Sequence, residues 1–153
     1  MKTLSEAKEY LKDNYKDGCI CPTCNQFVKL YKRALTSSMA YGLILLYKSN
    51  KTDYFHIENY LKEQDCPSSI RGDISKLCHF GLLQRQEGKK EDGNPSSGHY
   101  KLTDKARAFV MGKITVPKHV NIYNKIVYGY SENHTNIKGA LKKKFNYNEL
   151  LNN

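Results

Sequence analysis

Between residues 37 and 112 no helical pattern lasts more than about twelve residues before a Ser, Asn, Pro or Gly interrupts it. Helices that short are marginal alone in water, so these segments have to share a core. The first begins after Thr36, Ser37 and Ser38, natural N-cap residues. It carries Met39, Ala40, Leu43, Ile44 and Tyr47 at helical spacing and ends near Ser49-Asn50. A short β-prone run, Asp53 to Ile57, leads into a second helix with Ile57, Tyr60 and Leu61, broken at Asp65-Cys66-Pro67.

The third stretch, Ser68 to Leu83, is the one the others are arranged around. Ile70, Ile74, Leu77 and Cys78 recur at i, i+4, i+7 and i+8, which predicts a single helix with those four on one face. Pro67 and Ser68 supply a start signal and Gly81 a stop. The other face carries Ser68, Ser69, Gly72, Ser75, Lys76 and His79, with Arg71 on its flank. These side chains are short, polar or cationic, and Gly72 permits close approach to the backbone.

Leu82 to Gln86 then reads as a strand, Gly88 to Gly98 as charged turn chemistry, and His99 to Thr103 as a second strand. Thr103 caps a last helix with Ala106, Phe109 and Val110, closed by Gly112. Two helices joined by a tight turn and followed by a hairpin form the winged helix-turn-helix plan. The expected fold is therefore α+β, a winged helix over 37–112, with an N-terminal helix and cysteine knuckle over 1–36 and a basic extension over 113–153.

The run Leu77-Cys-His-Phe-Gly-Leu-Leu-Gln-Arg, a polar loop, then Tyr100-Lys-Leu-Thr-Asp-Lys-Ala resembles the wing region of multiple-antibiotic-resistance-type regulators. Ala106 stands where that pattern usually has Gly. The resemblance implies a transcriptional regulator of duplex DNA, usually dimeric, here through the outer helices. The segments Cys21 to Ala40 and Lys144 to Leu151 are similar to small uncharacterised bacteriophage proteins. That likeness implies a phage or prophage origin, hence a host-cell cytoplasmic location, and no particular activity.

In this reading Ser68 and Ser69 meet phosphates, while Arg71, Ser75, Lys76 and His79 reach base edges, Arg71 through bidentate pairing with guanine. The wing contributes Lys89 and Lys90, and the strands beside it Arg85, His99 and Lys101. Net charge is +10, which suits a polyanionic partner. Residues 19–49 hold four basic groups and no acid, 113–153 hold seven lysines against two acids, and 50–112 nearly balance at ten against nine. That near-neutral centre also suits the alternative, a module that binds and inhibits a host protein.

The outer segments carry their own signals. Leu4, Ala7, Tyr10, Leu11 and Tyr15 predict a helix ended by Gly18. Cys21-Pro-Thr-Cys24 is the turn with which zinc knuckles present two thiolates to a tetrahedral ion. Two more ligands are needed, with Cys19, Cys66, Cys78, His79 and His99 as candidates; a reduced, metal-free turn is the alternative. Residues 26–35 could be a strand or the lead-in to a helix. After Pro117, alternation through Val120, Ile122, Ile126, Tyr128 and Tyr130 predicts one or two strands, and Asn136 to Lys144 a basic closing helix.

Several classes are disfavoured. The odd count of five cysteines argues against a disulfide scaffold. No apolar run could span a bilayer, and the N-terminus carries no apolar signal segment. Paired carboxylates, a Ser-His-Asp order and a glycine-rich phosphate loop are all missing, so an enzyme is not expected.

Overall fold

The computed structural model describes residues 3–86, 98–123 and 126–152. In chain order it contains α1 (Leu4–Asn14), β1 (Cys19–Ile20), β2 (Phe27–Val28), β3 (Tyr31–Ala34), α2 (Ser37–Lys48), β4 (Phe55–His56), α3 (Ile57–Glu63) and α4 (Ser68–Arg71). A 3-10 helix (Ile74–Phe80) leads into β5 (Leu83–Arg85), β6 (His99–Leu102) and α5 (Asp104–Val110). The chain closes with β7 (Val116–Pro117), β8 (His119–Tyr123), β9 (Ile126–Tyr130), β10 (His134–Thr135), α6 (Ile137–Leu141) and α7 (Tyr147–Asn152). Helix and sheet are mixed, as an α+β class requires. No helix among the described residues is long and apolar enough to cross a membrane.

By packing the chain falls into two units, each drawn from two stretches: Met1–Ala34 with His119–Ser131, and Leu35–Lys118 with Glu132–Asn153. In the first, α1 starts at Thr3, whose hydroxyl accepts the Glu6 N–H. Of its predicted apolar stripe only Ala7 is buried, and Leu4 is exposed. The undecided stretch 26–35 resolves into two strands. β2 pairs with β1 in a hairpin, and β3 joins β8 and β9 in an antiparallel sheet of order β3-β8-β9.

The second unit is built on α2. Thr36 caps it by accepting the Met39 N–H at 3.2 Å, and Met39, Ala40, Leu43, Ile44 and Leu46 are buried. Against it pack α3, α4, the 3-10 helix, α5, α6 and α7. β4, β6 and β5 form an antiparallel sheet with β6 in the middle, in the register Phe55↔Tyr100 and Leu83↔Leu102. Phe80, Phe109, Leu61, Ile74, Leu77 and Leu82 are fully buried. Each contributes roughly 1.5–3 kcal/mol by leaving water.

Two expectations need correction. The single helix over Ser68 to Phe80 is two pieces, a four-residue α-turn and a 3-10 helix. Gly72 and Asp73 stand at the break; both are poor helix formers. The Asp73 N–H has already moved to the Ile70 carbonyl, three residues back. The tighter 3-10 winding then still delivers Ile74, Leu77 and Phe80 to the core. The basic closing helix is also shorter than expected. Asn136 caps it through Gly139 N–H at 2.7 Å, but it stops at Lys142, a left-handed residue with φ 59. Lys142, Lys143 and Lys144 therefore lie beyond the helix, exposed. The chain continues into Phe145, stacked on Tyr41 at 4.5 Å, and Tyr147, whose hydroxyl donates to the Val110 carbonyl.

Candidate nucleic-acid interface

The outer edge of the second unit runs from Ser68 through the 3-10 helix to β5 and β6. Its backbone is held from behind at both ends. At the start, Arg71 turns inward and Nη1 donates to the Cys66 carbonyl at 2.7 Å, while its Nε is buried without a hydrogen-bond partner. At the end, Gly81 adopts φ 75, and the N–H groups of Gly81 and Leu82 close on the Cys78 and Leu77 carbonyls. This is the left-handed cap that Gly favours. The Thr103 hydroxyl donates to the Gly81 carbonyl at 2.7 Å and accepts the Ala106 N–H at 3.1 Å. One side chain thus caps α5 and fixes the turn that ends the segment.

Close approach to α2 sets the depth of the segment. A methyl group at Gly42 would collide with Ile74 Cδ1 and press on Cγ1. Gly42 therefore lets the 3-10 helix sit against α2, leaving Ser68, Ser69, Gly72 and Ser75 exposed.

The candidate contact residues divide by environment. Ser68 and Ser69 are exposed at the start of the segment. Lys76 Nζ lies 2.9 Å from Asp73 Oδ1, a partly exposed pair that neutralises its charge locally. Burial, and after it the neighbouring Lys76 charge, hold His79 below the usual imidazole range, so it is neutral at pH 7. Ser75 is within hydrogen-bond reach of the Tyr100 hydroxyl, which burial pushes up. Cys78 is pushed up to about 11 by burial, so its thiol stays protonated.

On the sheet, Gln84 pairs with Lys101 and Arg85 with Tyr100. Alternation puts Arg85 on the face beside Cys78 and Tyr100, and Lys101 on the opposite face, 4.8 Å over the Tyr54 ring. The fold therefore brings Ser75, Lys76, His79 and Arg85 to one region and separates Lys101 from them. Lys89 and Lys90 lie outside the described residues.

No protein-family model, no curated protein and no solved structure matches the chain.

Sequence reasoning missed Lys105, whose Nζ lies near Gly81 at the end of the segment, and Lys51, which covers the Phe55 and Tyr60 rings. Lys51 stands in no motif, and Lys105 falls within the Tyr100–Ala106 run, where the turn at Gly81 brings it alongside the end of the segment.

In the first unit Cys21 and Cys24 share one turn. The Cys21 N–H donates to the Gln26 carbonyl at 2.8 Å, the Asn25 N–H to the Cys21 carbonyl at 3.0 Å, and Asn25 is left-handed at φ 62. Backbone N–H groups of Cys24 and Thr23, and the Cys24 thiol, hydrogen-bond to the Cys21 sulfur and hold its pKa below the usual thiol range. Cys21 is buried and Cys24 exposed. Among the described residues no group of three or more Cys, His, Asp or Glu could hold a metal ion. Cys66 and Cys78 lie in the second unit.

Proposed function

We propose that residues 37–112 are a winged helix-turn-helix domain that lays Ser68–Phe80 against duplex DNA, serving as a regulator or DNA-associated accessory factor of phage type. The observation that carries this is the element order. Two helices and a tight turn are followed by an antiparallel sheet in which β6 lies between β4 and β5. The exposed edge of the turn is made of short hydroxyl side chains and glycine rather than bulky groups. That edge can approach a groove closely, and the chain's positive excess attracts phosphates without sequence preference.

Ser68, Ser69, Ser75 and Lys76 are the contact residues in this reading, with Lys105 and Arg85 beside them. Arg71 acts as a positioning residue, because its guanidinium is committed to the Cys66 carbonyl. Ser69→Glu puts an acid where a phosphate would lie. Duplex affinity should fall about tenfold or more at fixed salt, with the thermal midpoint unchanged. Retention of duplex binding by this variant, at the same salt slope, would reject the segment as the contact.

One observation favours a second reading, in which the same surface docks on a host protein. Asp73 neutralises Lys76, and Arg71 faces inward, so the segment presents little uncompensated charge. Capture of one host protein, with no DNA retained at low salt, would select that reading.

A further inference from the structure

A cavity of about 290 Å³ lies within the first unit, between α1 and the strands β2, β8 and β9. Lys8, Leu11, Lys12 and Tyr15 line it from one stripe of α1 and its C-cap, at i, i+3, i+4 and i+7. Tyr123 and Tyr128 line the other side. The Tyr128 ring lies 6.3 Å from that of Tyr15 and 6.4 Å from that of Tyr123, tilted at 53° and 46°. Rings tilted this way do not cover one another's faces, and Tyr128 is 53% exposed.

A slip in the β8–β9 ladder puts Tyr128 there. Tyr130 pairs with Val120 and Gly129 with Asn121, but Val127, not Tyr128, stands opposite Ile122. Tyr128 is thus the extra residue of a bulge. On an unbroken ladder it would share a face with Tyr130. A bulge re-aims a side chain, and here the ring meets Tyr123, which alternates to the face opposite Ile122.

Charge is sorted to match. The acids of α1, Glu6, Glu9 and Asp13, fall on the side of the helix away from Lys8 and Lys12. The stretches that supply the strands, 18–52 and 105–131, hold no acid. Lys8 and Lys12 are exposed, and neither is ion-paired to a described residue.

An opening walled by tyrosines, with two unpaired cations on one rim, takes a flat ring that carries an anion. At about 290 Å³ it stands at the small end of ligand pockets, roughly 300–1,000 Å³. It therefore holds one ring system and not an extended molecule, and an acyl chain would need aliphatic walls. A nucleobase with its phosphate has both features, since every base has a face that stacks on an aromatic side chain.

We propose that this cavity receives one base of a single-stranded nucleic acid, stacked on Tyr128, with Lys8 and Lys12 on the adjoining phosphates. The inference is independent of the duplex reading, which concerns the second unit.

The test uses the full chain and a fluorescein-labelled oligothymidylate, read by anisotropy across a salt series. Tyr128→Ala, at an exposed position, should weaken binding at least about fivefold, while Tyr128→Phe, which keeps the ring, retains it. Lys8→Ala with Lys12→Ala should lower the salt slope by about 1.4, at about 0.7 for each phosphate contact on a single strand. Lys16→Ala, a charge removed beside α1 but outside the cavity lining, should leave the affinity near that of the parent chain. The Tyr128→Ala loss should be the same size in a Ser69→Glu background, which separates failure of this proposal from failure of the duplex reading. Equal affinity of Tyr128→Ala and the parent chain, or an unaltered salt slope in the double lysine variant, would overturn the proposal. Thymidine monophosphate binding as tightly as the strand would also overturn it, by assigning the cavity to free nucleotides.

Discussion

The two units keep their apolar side chains in opposite ways. In the second, Leu43, Ile44, Leu61, Leu77, Phe80 and Phe109 are withdrawn from water, and among its described residues Met111 is the one large apolar side chain left exposed. In the first, one cluster is only Cys19, Cys21 and Val28, ringed by half-buried Tyr10, Leu11, Tyr15 and Tyr123. Leu4, Ile20, Phe27, Tyr31, Tyr128 and Tyr130 stay exposed. A cavity of about 290 Å³ opens between Leu11, Tyr15, Tyr123 and Tyr128, with Lys8 and Lys12 at its rim. A filled core holds a surface rigid enough to be laid against something. A thin core with exposed aromatics gains stability when something covers it.

The largest expected contrast is in stability. Phe80→Ala removes a fully buried ring and should cost about 3–5 kcal/mol in urea unfolding. Phe27→Ser, at an exposed position, should stay within about 0.5 kcal/mol. Similar losses from both would erase the distinction between the units.

Next comes the close contact beneath Ser68–Phe80. Gly42→Ala improves intrinsic helix propensity in α2, yet the new methyl has to displace Ile74. Overpacking of this kind costs about 1–3 kcal/mol, so a net loss is expected, with Ile74→Val in the same background restoring much of it. A stabilised Gly42→Ala protein would mean that Gly42 does not set the depth of the segment.

A smaller effect concerns charge. Asp73→Asn releases Lys76 from its ion pair. If the segment contacts phosphates, duplex affinity should rise a few-fold and the salt slope steepen by about 0.9. No change in slope would favour the protein-docking reading.

The smallest is a pH effect. Burial first, and Lys76 second, lower the His79 pKa from its ordinary 6.5. The unfolded chain therefore takes up this proton at higher pH than the folded one. This contribution is complete above about 6.5 and is lost as pH falls through the folded value. Stability measured down through that window should decline, and His79→Gln should flatten part of the decline; an unaltered profile would remove His79 as the cause.

What could be read from the linear pattern is local. The N-caps at Thr36 and Thr103, the stop at Gly81 and the cysteine turn each depend on groups a few residues apart, and each lies where its sequence placed it. Candidate contact residues were harder to judge. Arg71 stands by spacing on the flank of the polar face and is expected to reach a base edge, yet it turns toward the Cys66 carbonyl, a partner that periodicity does not reveal. Likewise Asp73 claims Lys76, and strand alternation sends Lys101 to the far face.

By itself, then, the sequence determined the short elements, their caps and turns, and the mixed α+β class, since short-range hydrogen bonding and apolar periodicity suffice for those. Only the tertiary structure decided that β3 pairs with β8 from far along the chain, and that Ser68–Phe80 breaks at Gly72-Asp73. It also decided which cations face outward. Each of those outcomes depends on what lies opposite in space: Asn121 and Val120 across from Lys32 and Arg33, Gly42 beneath Ile74, a carbonyl within reach of a guanidinium.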